Sequence, residues 1–154
     1  MKNEKGSDLE LSQRNACPPG WSGFQSRCFL FVDEEKEWIE AEKYCIRLGG
    51  NLASVHSSSE YRFLQALTAG HSFNYPPTWI GAFDAVKERQ WQWSDGTEFS
   101  YTRWNAEQPD NWHYNEHCVH MNIQSTKGWN DVECAHLYPF ICAIRSTGCR
   151  KTSR

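Results

Sequence analysis

The first half of the chain carries its apolar residues at helical intervals. From about residue 35 to 48, Trp38, Ala41, Tyr44, Cys45 and Leu48 share one stripe, with Glu34, Glu35 and Glu37 at the end where a helix dipole favours acids and Gly49-Gly50 as a stop. A second helix is predicted over about 58–69: Ser57 and Glu60 have capping-box spacing, Phe63, Leu64 and Leu67 supply a buried face, and Gly70 ends it. Both stripes read as core, and the Ser57-Ser58-Ser59 run as helix-start chemistry. After Pro76-Pro77 the pattern changes to short aromatic and β-branched runs, TWIGAF (78–83), RQWQWSDG (89–96) and HCVHMNI (117–123), which read as strands between turns. Trp91 and Trp93 alternate about Gln92, so one face of that strand is expected to be buried. Between 97 and 117 strand signals are sparse. A compact domain normally carries so long a loop only when the loop is functional.

Gln108, Asp110 and Glu116 in that loop, with Asn130 and Asp131 beyond the 117–123 run, form the pattern QPD, a glutamate, then WND. Every one of these side chains offers oxygen, which suits a hard cation: Ca²⁺ accepts about 6–8 oxygens at roughly 2.3–2.6 Å, whereas zinc prefers nitrogen and sulfur. Three carboxylates and two amides set a formal −3 against +2, and five side chains leave places in the shell for backbone, water or ligand. Pro109 lies between two of the candidate ligands, so a cis Gln108–Pro109 peptide is expected, which proline permits at about 0.5–1 kcal/mol. On spacing alone, an acidic, amide-rich surface turn stays open as the plainer reading.

At 154 residues and 17.9 kDa the chain has the length of one domain with its own core. Three segments are expected: a flexible tail over 1–16, a domain over 17–145, and a basic tail over 146–154. The first sixteen residues hold three basic and three acidic side chains and no apolar run, so they read as neither a signal peptide nor a membrane span. Residues 17–144 carry nine basic and sixteen acidic side chains, a net −7 that argues against nucleic acid as a partner. Seven cysteines without a CxxC pair fit disulfides in an oxidising, extracellular compartment better than zinc or redox chemistry. Six fall between 17 and 142, and the seventh, Cys149, stands alone in the basic tail; a bridge between two copies of the chain is the expectation for it, with a free or capped thiol as the open alternative.

Taken together, the opening CPPGW with Cys28 behind it, Cys45, WIG at 79–81, QPD at 108–110, WND at 129–131, and Cys118, Cys134 and Cys142 resemble the C-type lectin domain family over about residues 16–145. The resemblance implies an α+β fold with two helices flanking antiparallel sheets, a long calcium-binding loop, and disulfides Cys17–Cys28, Cys45–Cys142 and Cys118–Cys134. It further implies that Gln108, Asp110, Glu116, Asn130 and Asp131 hold one calcium ion while two neighbouring sugar hydroxyls complete its shell. Carbohydrate contacts are then expected from Gln108, Asp110, Glu116 and Asn130. Members reading QPD resemble galactose binders and those reading EPN resemble mannose binders; each sugar hydroxyl donates to an acid and accepts from an amide N–H, so their order sets which sugar fits. Trp112 falls where galactose-binding members place an aromatic against the ring, with packing inside the loop as the plainer alternative, and Tyr114 could extend that platform. HYN replaces a glycine-rich stretch found after that aromatic in some galactose-selective relatives. A second calcium site of the family looks incomplete: Asp84 and Glu88 match two of its acids, but Asn111 and His117 stand where acids are expected.

These features point to a secreted, non-catalytic, calcium-dependent lectin for galactose-containing glycans on cells or microbes, similar to soluble mucosal, plasma or venom lectins. No GxSxG elbow or phosphate-cradling glycine loop is present, and disulfide-paired cysteines cannot act as nucleophiles. Type II antifreeze proteins of fish resemble the same domain, though their ten-cysteine pattern is absent; a protein-binding lectin-like domain is a further alternative. His113, His117, His120 and His136 fit no standard zinc spacing. Placed in a loop beside carboxylates, they are expected to add positive charge near pH 6 and to weaken ligand retention between pH 7 and 5.5.

Overall fold

The structure is a computed structural model that describes residues 17–69, 75–84, 87, 89–111 and 115–146. An antiparallel hairpin of β1 (Ser22–Phe24) and β2 (Arg27–Lys36) opens it. β2 then runs along the last strand, β8 (Tyr138–Arg145), so the two ends of the domain close on one another. Between them come α1 (Trp38–Arg47), β3 (Asn51–Leu52), α2 (Ser58–Ala69), β4 (Thr78–Phe83), β5 (Gln92–Trp93), β6 (Cys118–Ile123) and β7 (Gly128–Val132). The order across the sheet is β1-β2-β8-β4-β6-β7, with β3 on β8 and β5 on β4. Pairing between these strands is antiparallel except at Trp79 and Phe140, where β4 meets β8 in parallel, and an isolated parallel bridge joins Trp104 to Trp129. Two helices and an antiparallel-rich sheet make this the α+β fold that the sequence implies.

α1 begins later than its periodicity predicts. Glu34 and Glu35 belong to β2, whose pairing resumes at Lys36–Tyr138 beyond a register shift; long-range strand pairing outweighs the local helix signal there. No side chain caps the new start; instead Trp38 N donates to Cys134 O at 3.0 Å. At the other end Gly49 N donates to Ile46 O at 2.9 Å and Gly50 N to Cys45 O at 3.0 Å, a Schellman closure with Gly49 at φ +98°. Gly50 then passes close under β8: a Cβ there would sit 2.6 Å from Ile144 Cγ2 and closer still to the carbonyl oxygen of Ala143. Gly50→Ala is therefore expected to push α1 and β8 apart at a cost of about 1–3 kcal/mol, read as a thermal midpoint lower by several degrees.

At α2, Glu60 N donates to Ser57 Oγ at 3.1 Å as the capping box requires, but the Glu60 carboxylate takes His56 N at 2.8 Å and pairs with Arg27 at 2.8 Å. The cap thereby ties the helix start to β2. Gly70 lies outside the described residues. In β5, Trp93 is buried and Gln92 exposed, as the alternation predicts. The three implied disulfides are present, Cys17–Cys28, Cys45–Cys142 and Cys118–Cys134. The second closes a span of 97 residues and ties α1 to β8, a crosslink worth about 4–5 kcal/mol in the chain-entropy account. Cys149 lies outside the described residues.

Candidate metal centre

β7 supplies the rigid half of this centre. Trp129 is fully buried, with the rings of Tyr61, Trp93, Phe99, Tyr101 and Trp104 at 5.6–6.2 Å between centroids. Its backbone also pins the long loop: Trp129 N donates to Arg103 O at 2.9 Å, and Asn105 N donates to Trp129 O at 3.0 Å. The two residues that follow, Asn130 and Asp131, are thus presented on a strand held from both sides.

Asp131 is 0% exposed. Its Oδ1 accepts from Asp110 N at 3.0 Å and its Oδ2 from Asn111 N at 2.7 Å, which folds the loop onto the strand. Burial holds its carboxyl above the ordinary carboxylate range; the Asp110 charge adds to the effect, and the two backbone N–H bonds only partly offset it. Asp110, Glu116 and Asp131 each place a carboxylate oxygen within 4.8 Å of the other two. The Gln108–Pro109 peptide is cis, as expected.

The Gln108 amide decides what this cluster can accept. One end of it lies 2.8 Å from Asp131 Oδ1, 2.7 Å from Asn130 Oδ1 and 3.3 Å from Asp110 Oδ1. With the amide nitrogen at that end, Gln108 donates to these oxygens. With the oxygen there, acceptors converge on acceptors, an arrangement that needs a cation among them. Asn130 Nδ2 meanwhile donates to His120 Nε2 at 3.1 Å, which leaves Asn130 Oδ1 facing the cluster. A set made only of oxygens and carrying three carboxylates, with Asp131 fully buried, fits a hard divalent cation such as calcium and not zinc. Among the described residues no histidine joins a group able to hold a metal.

Of the acids matched to a second site, Asp84 is engaged in protein hydrogen bonds. Asp84 is 1% exposed, its Oδ2 accepts from Arg89 N at 2.8 Å, and His117 Nδ1 lies 3.0 Å from its Oδ1. Asn111 Oδ1 accepts from Glu116 N at 2.8 Å, so it braces the loop that carries Glu116. Glu88, Trp112, His113 and Tyr114 lie outside the described residues.

One histidine departs from the sequence reading. His120 belongs to β6, not to the loop, and is 5% exposed between the rings of Trp79 and Tyr138. Burial, with a smaller contribution from His136, pushes its pKa down to about 3, so it stays neutral between pH 7 and 5.5 and adds no charge in that window. The linkage falls on stability instead. Below about 6.5 the unfolded chain binds a proton that the folded chain refuses, so stability declines by up to about 1.4 kcal/mol per pH unit as pH falls toward 3. Denaturant titrations in EDTA across pH 7 to 4 are expected to show this slope, and His120→Gln to flatten it.

Sequence reasoning also missed Asn105. It is 4% exposed, and its Nδ2 donates to Ile123 O at 2.8 Å, so it holds the loop to the β6 end. A single asparagine in an irregular stretch gives no signal of that role.

A family model described as the Lectin C-type domain matches residues 34–144. The chain belongs to the C-type lectin domain family. This lectin domain is 46% identical over 138 residues to ladderlectin of Oncorhynchus mykiss, across 88% of this chain and 73% of that one. It is 41% identical over 138 residues to the galactose-specific lectin nattectin of Thalassophryne nattereri, across 90% of this chain and 86% of that one. Among solved structures, herring type II antifreeze protein superposes with a TM-score of 0.79 at 41% identity, over 84% of this chain and 98% of that one. The C-type lectin domain therefore has sugar-binding and antifreeze relatives at comparable distance.

Proposed function

We propose that the protein is a secreted, calcium-dependent lectin of the galactose type. The observation that carries this reading is the convergence of the Gln108 amide and the Asp110, Glu116 and Asp131 carboxylates on one point beside Asn130 Oδ1. Gln108, Asp110, Glu116, Asn130 and Asp131 are the proposed ligands of a single calcium ion, which would supply a Lewis-acidic centre with places left for two sugar hydroxyls. Gln108, Asp110, Glu116 and Asn130 then hydrogen-bond those same hydroxyls, amides donating and carboxylates accepting. Trp112 is assigned the apolar face of the ring. The amide-first, acid-second order of QPD and the likeness to a galactose-specific relative support galactose over mannose. Asn111, His117 and the buried Asp84 serve protein hydrogen bonds, which supports one calcium rather than two. Binding needs no catalytic group. Among the described residues no helix is long and apolar enough to cross a membrane.

Retention on immobilised galactose with calcium, elution by EDTA and weaker retention on mannose are the expected results. Retention on galactose in EDTA would overturn the mechanism. Likeness to herring antifreeze protein favours ice binding as the second reading, and ice-crystal shaping by the same preparation, without retention on either sugar, would replace the first. A single shallow site binds weakly, and two copies joined through Cys149 would gain avidity wherever both reach one glycan surface.

A further inference from the structure

A recess of about 400 Å³ opens where β2 and β8 meet the loops before α2 and after β5. Its volume is that of a small-ligand site, and none of the five proposed calcium ligands lines it. Arg27 and Arg145 both line it, and they are direct cross-strand partners in the β2–β8 pair. Like charges so placed destabilise a sheet. Arg27 is compensated by Glu60 at 2.8 Å and Asp95 at 3.8 Å. Arg145 is exposed, and among the described residues no carboxylate lies within ion-pair distance of it.

The remaining polar groups of the recess are locked together. Ser54, 0% exposed, donates its one hydroxyl hydrogen to Asp95 Oδ2, and Thr97 Oγ1 donates to Asp95 Oδ1 at 2.6 Å. Thr97 N donates to Asp95 Oδ1 as well, at 2.9 Å. Burial pushes the Asp95 carboxyl up, but the Ser54 and Thr97 bonds and Arg27 outweigh it and hold the group below the ordinary carboxylate range. Its charge is thus spent inside the protein. Both hydroxyls have also spent their hydrogens. His56 Nε2 lies 2.9 Å from Ser54 Oγ and 3.1 Å from Thr97 Oγ1, so this nitrogen carries a hydrogen and donates.

That tautomer decides what the recess can do. Ser54, His56 and Asp95 have the composition of a nucleophilic triad, but an imidazole that donates to the serine cannot take its proton. Binding is left. With Nε2 protonated, Nδ1 of the neutral ring is an acceptor, and among the described residues it has no hydrogen-bond partner. The ring cannot turn freely, because Trp93 packs against it at 6.2 Å between centroids. The recess therefore offers an uncompensated guanidinium fork, which matches a carboxylate in two hydrogen bonds, and a fixed acceptor, which takes the hydrogen of a hydroxyl. A compact molecule that carries both a carboxylate and hydroxyls is a sugar acid.

We propose that this recess is a second, metal-independent saccharide site for a uronic-acid-type sugar, with Arg145 holding the carboxylate and His56 Nδ1 accepting from a ring hydroxyl. The proposal does not rest on which ligand the metal centre takes. Its test is calorimetric titration of the full chain with galacturonate, galactose and inorganic sulfate. The buffer is freed of calcium on a chelating resin, so that no soluble chelator competes for Arg145. Galacturonate is expected to bind with a dissociation constant on the order of 1 mM, and galactose and sulfate about tenfold more weakly or less. Arg145→Gln and, separately, His56→Ala are each expected to weaken galacturonate binding about tenfold. Both variants should fold. Arg145→Gln removes a cross-strand repulsion, so its ligand-free thermal midpoint is expected at or above that of wild type. His56→Ala leaves the Ser54 and Thr97 hydroxyls on Asp95. No galacturonate binding without calcium, an unchanged affinity in either variant, or equal binding of galactose or of sulfate would overturn the proposal. Calcium-dependent retention on galactose is expected to persist in both variants. Its absence in wild type would instead sink the reading of the metal centre while leaving the calcium-free titration standing.

Discussion

Asp131→Asn is expected to lower calcium affinity at least a hundredfold and to destabilise the metal-free protein as well. Two separate losses combine in this one substitution. The first is electrostatic: the proposed site drops from three carboxylates to two, and the lost charge is the most deeply buried of them, where attraction to a divalent cation is screened least. The second is mechanical. Both Asp131 oxygens accept backbone N–H groups, from Asp110 and Asn111, and an amide in that place turns an N–H toward one of those donors. An unmet buried donor costs about 1–3 kcal/mol, and here the cost is paid in the loop that carries Gln108, Asp110 and Glu116. Asp110→Asn makes the control, because Asp110 is exposed and, among the described residues, its side chain meets the loop only through the longer 3.3 Å contact with the Gln108 amide. That variant is expected to lose calcium affinity while keeping its thermal midpoint in EDTA. Calorimetric titration and melting in EDTA separate the two losses, and equal behaviour of the two variants on both measurements would rule out bracing by Asp131.

Exchanging the polar order of the loop, Gln108→Glu together with Asp110→Asn, is expected to move preference from galactose toward mannose by at least tenfold. The formal charge of the cluster is unchanged, so calcium affinity should alter much less than sugar preference. What changes is which side of each bound hydroxyl meets a donor and which meets an acceptor, and a polar mismatch in a site built for hydrogen bonds discriminates strongly. Competition by free galactose and free mannose against one immobilised glycan reads the ratio directly. A ratio that stays with galactose would shift the origin of selectivity to the aromatic residue at 112.

How far the chain could be read in advance followed the range of the forces involved. α2, the Gly49-Gly50 stop and the alternation at Trp93 depend on neighbours a few residues away, and periodicity captures them. The start of α1 does not: it is set by Lys36 meeting Tyr138 and by a carbonyl from Cys134, contacts made a hundred residues apart. The oxygen pattern of the loop was legible as chemistry, since carboxylates and amides declare a hard-cation preference wherever they fall. Legibility stopped at second roles. That Asp131 also braces the loop, that Asn105 pins it, and that His120 is a buried acceptor rather than a loop cation all depend on which strand lies across from each residue.

The division of the centre between Asn130 and Asp131 on a strand and Gln108, Asp110 and Glu116 on a loop has a bearing on how such a protein diversifies. The strand half is locked by Trp129 and the aromatic rings around it, so substitutions there disturb the whole molecule. The loop half rests on contacts to its backbone from Asp131, Trp129 and Arg89 and on the Asn105 and Asn111 side chains. New ligand preferences can thus be sampled at little risk to folding, a modularity that lets one scaffold be retuned toward sugars or ice while its interior stays the same.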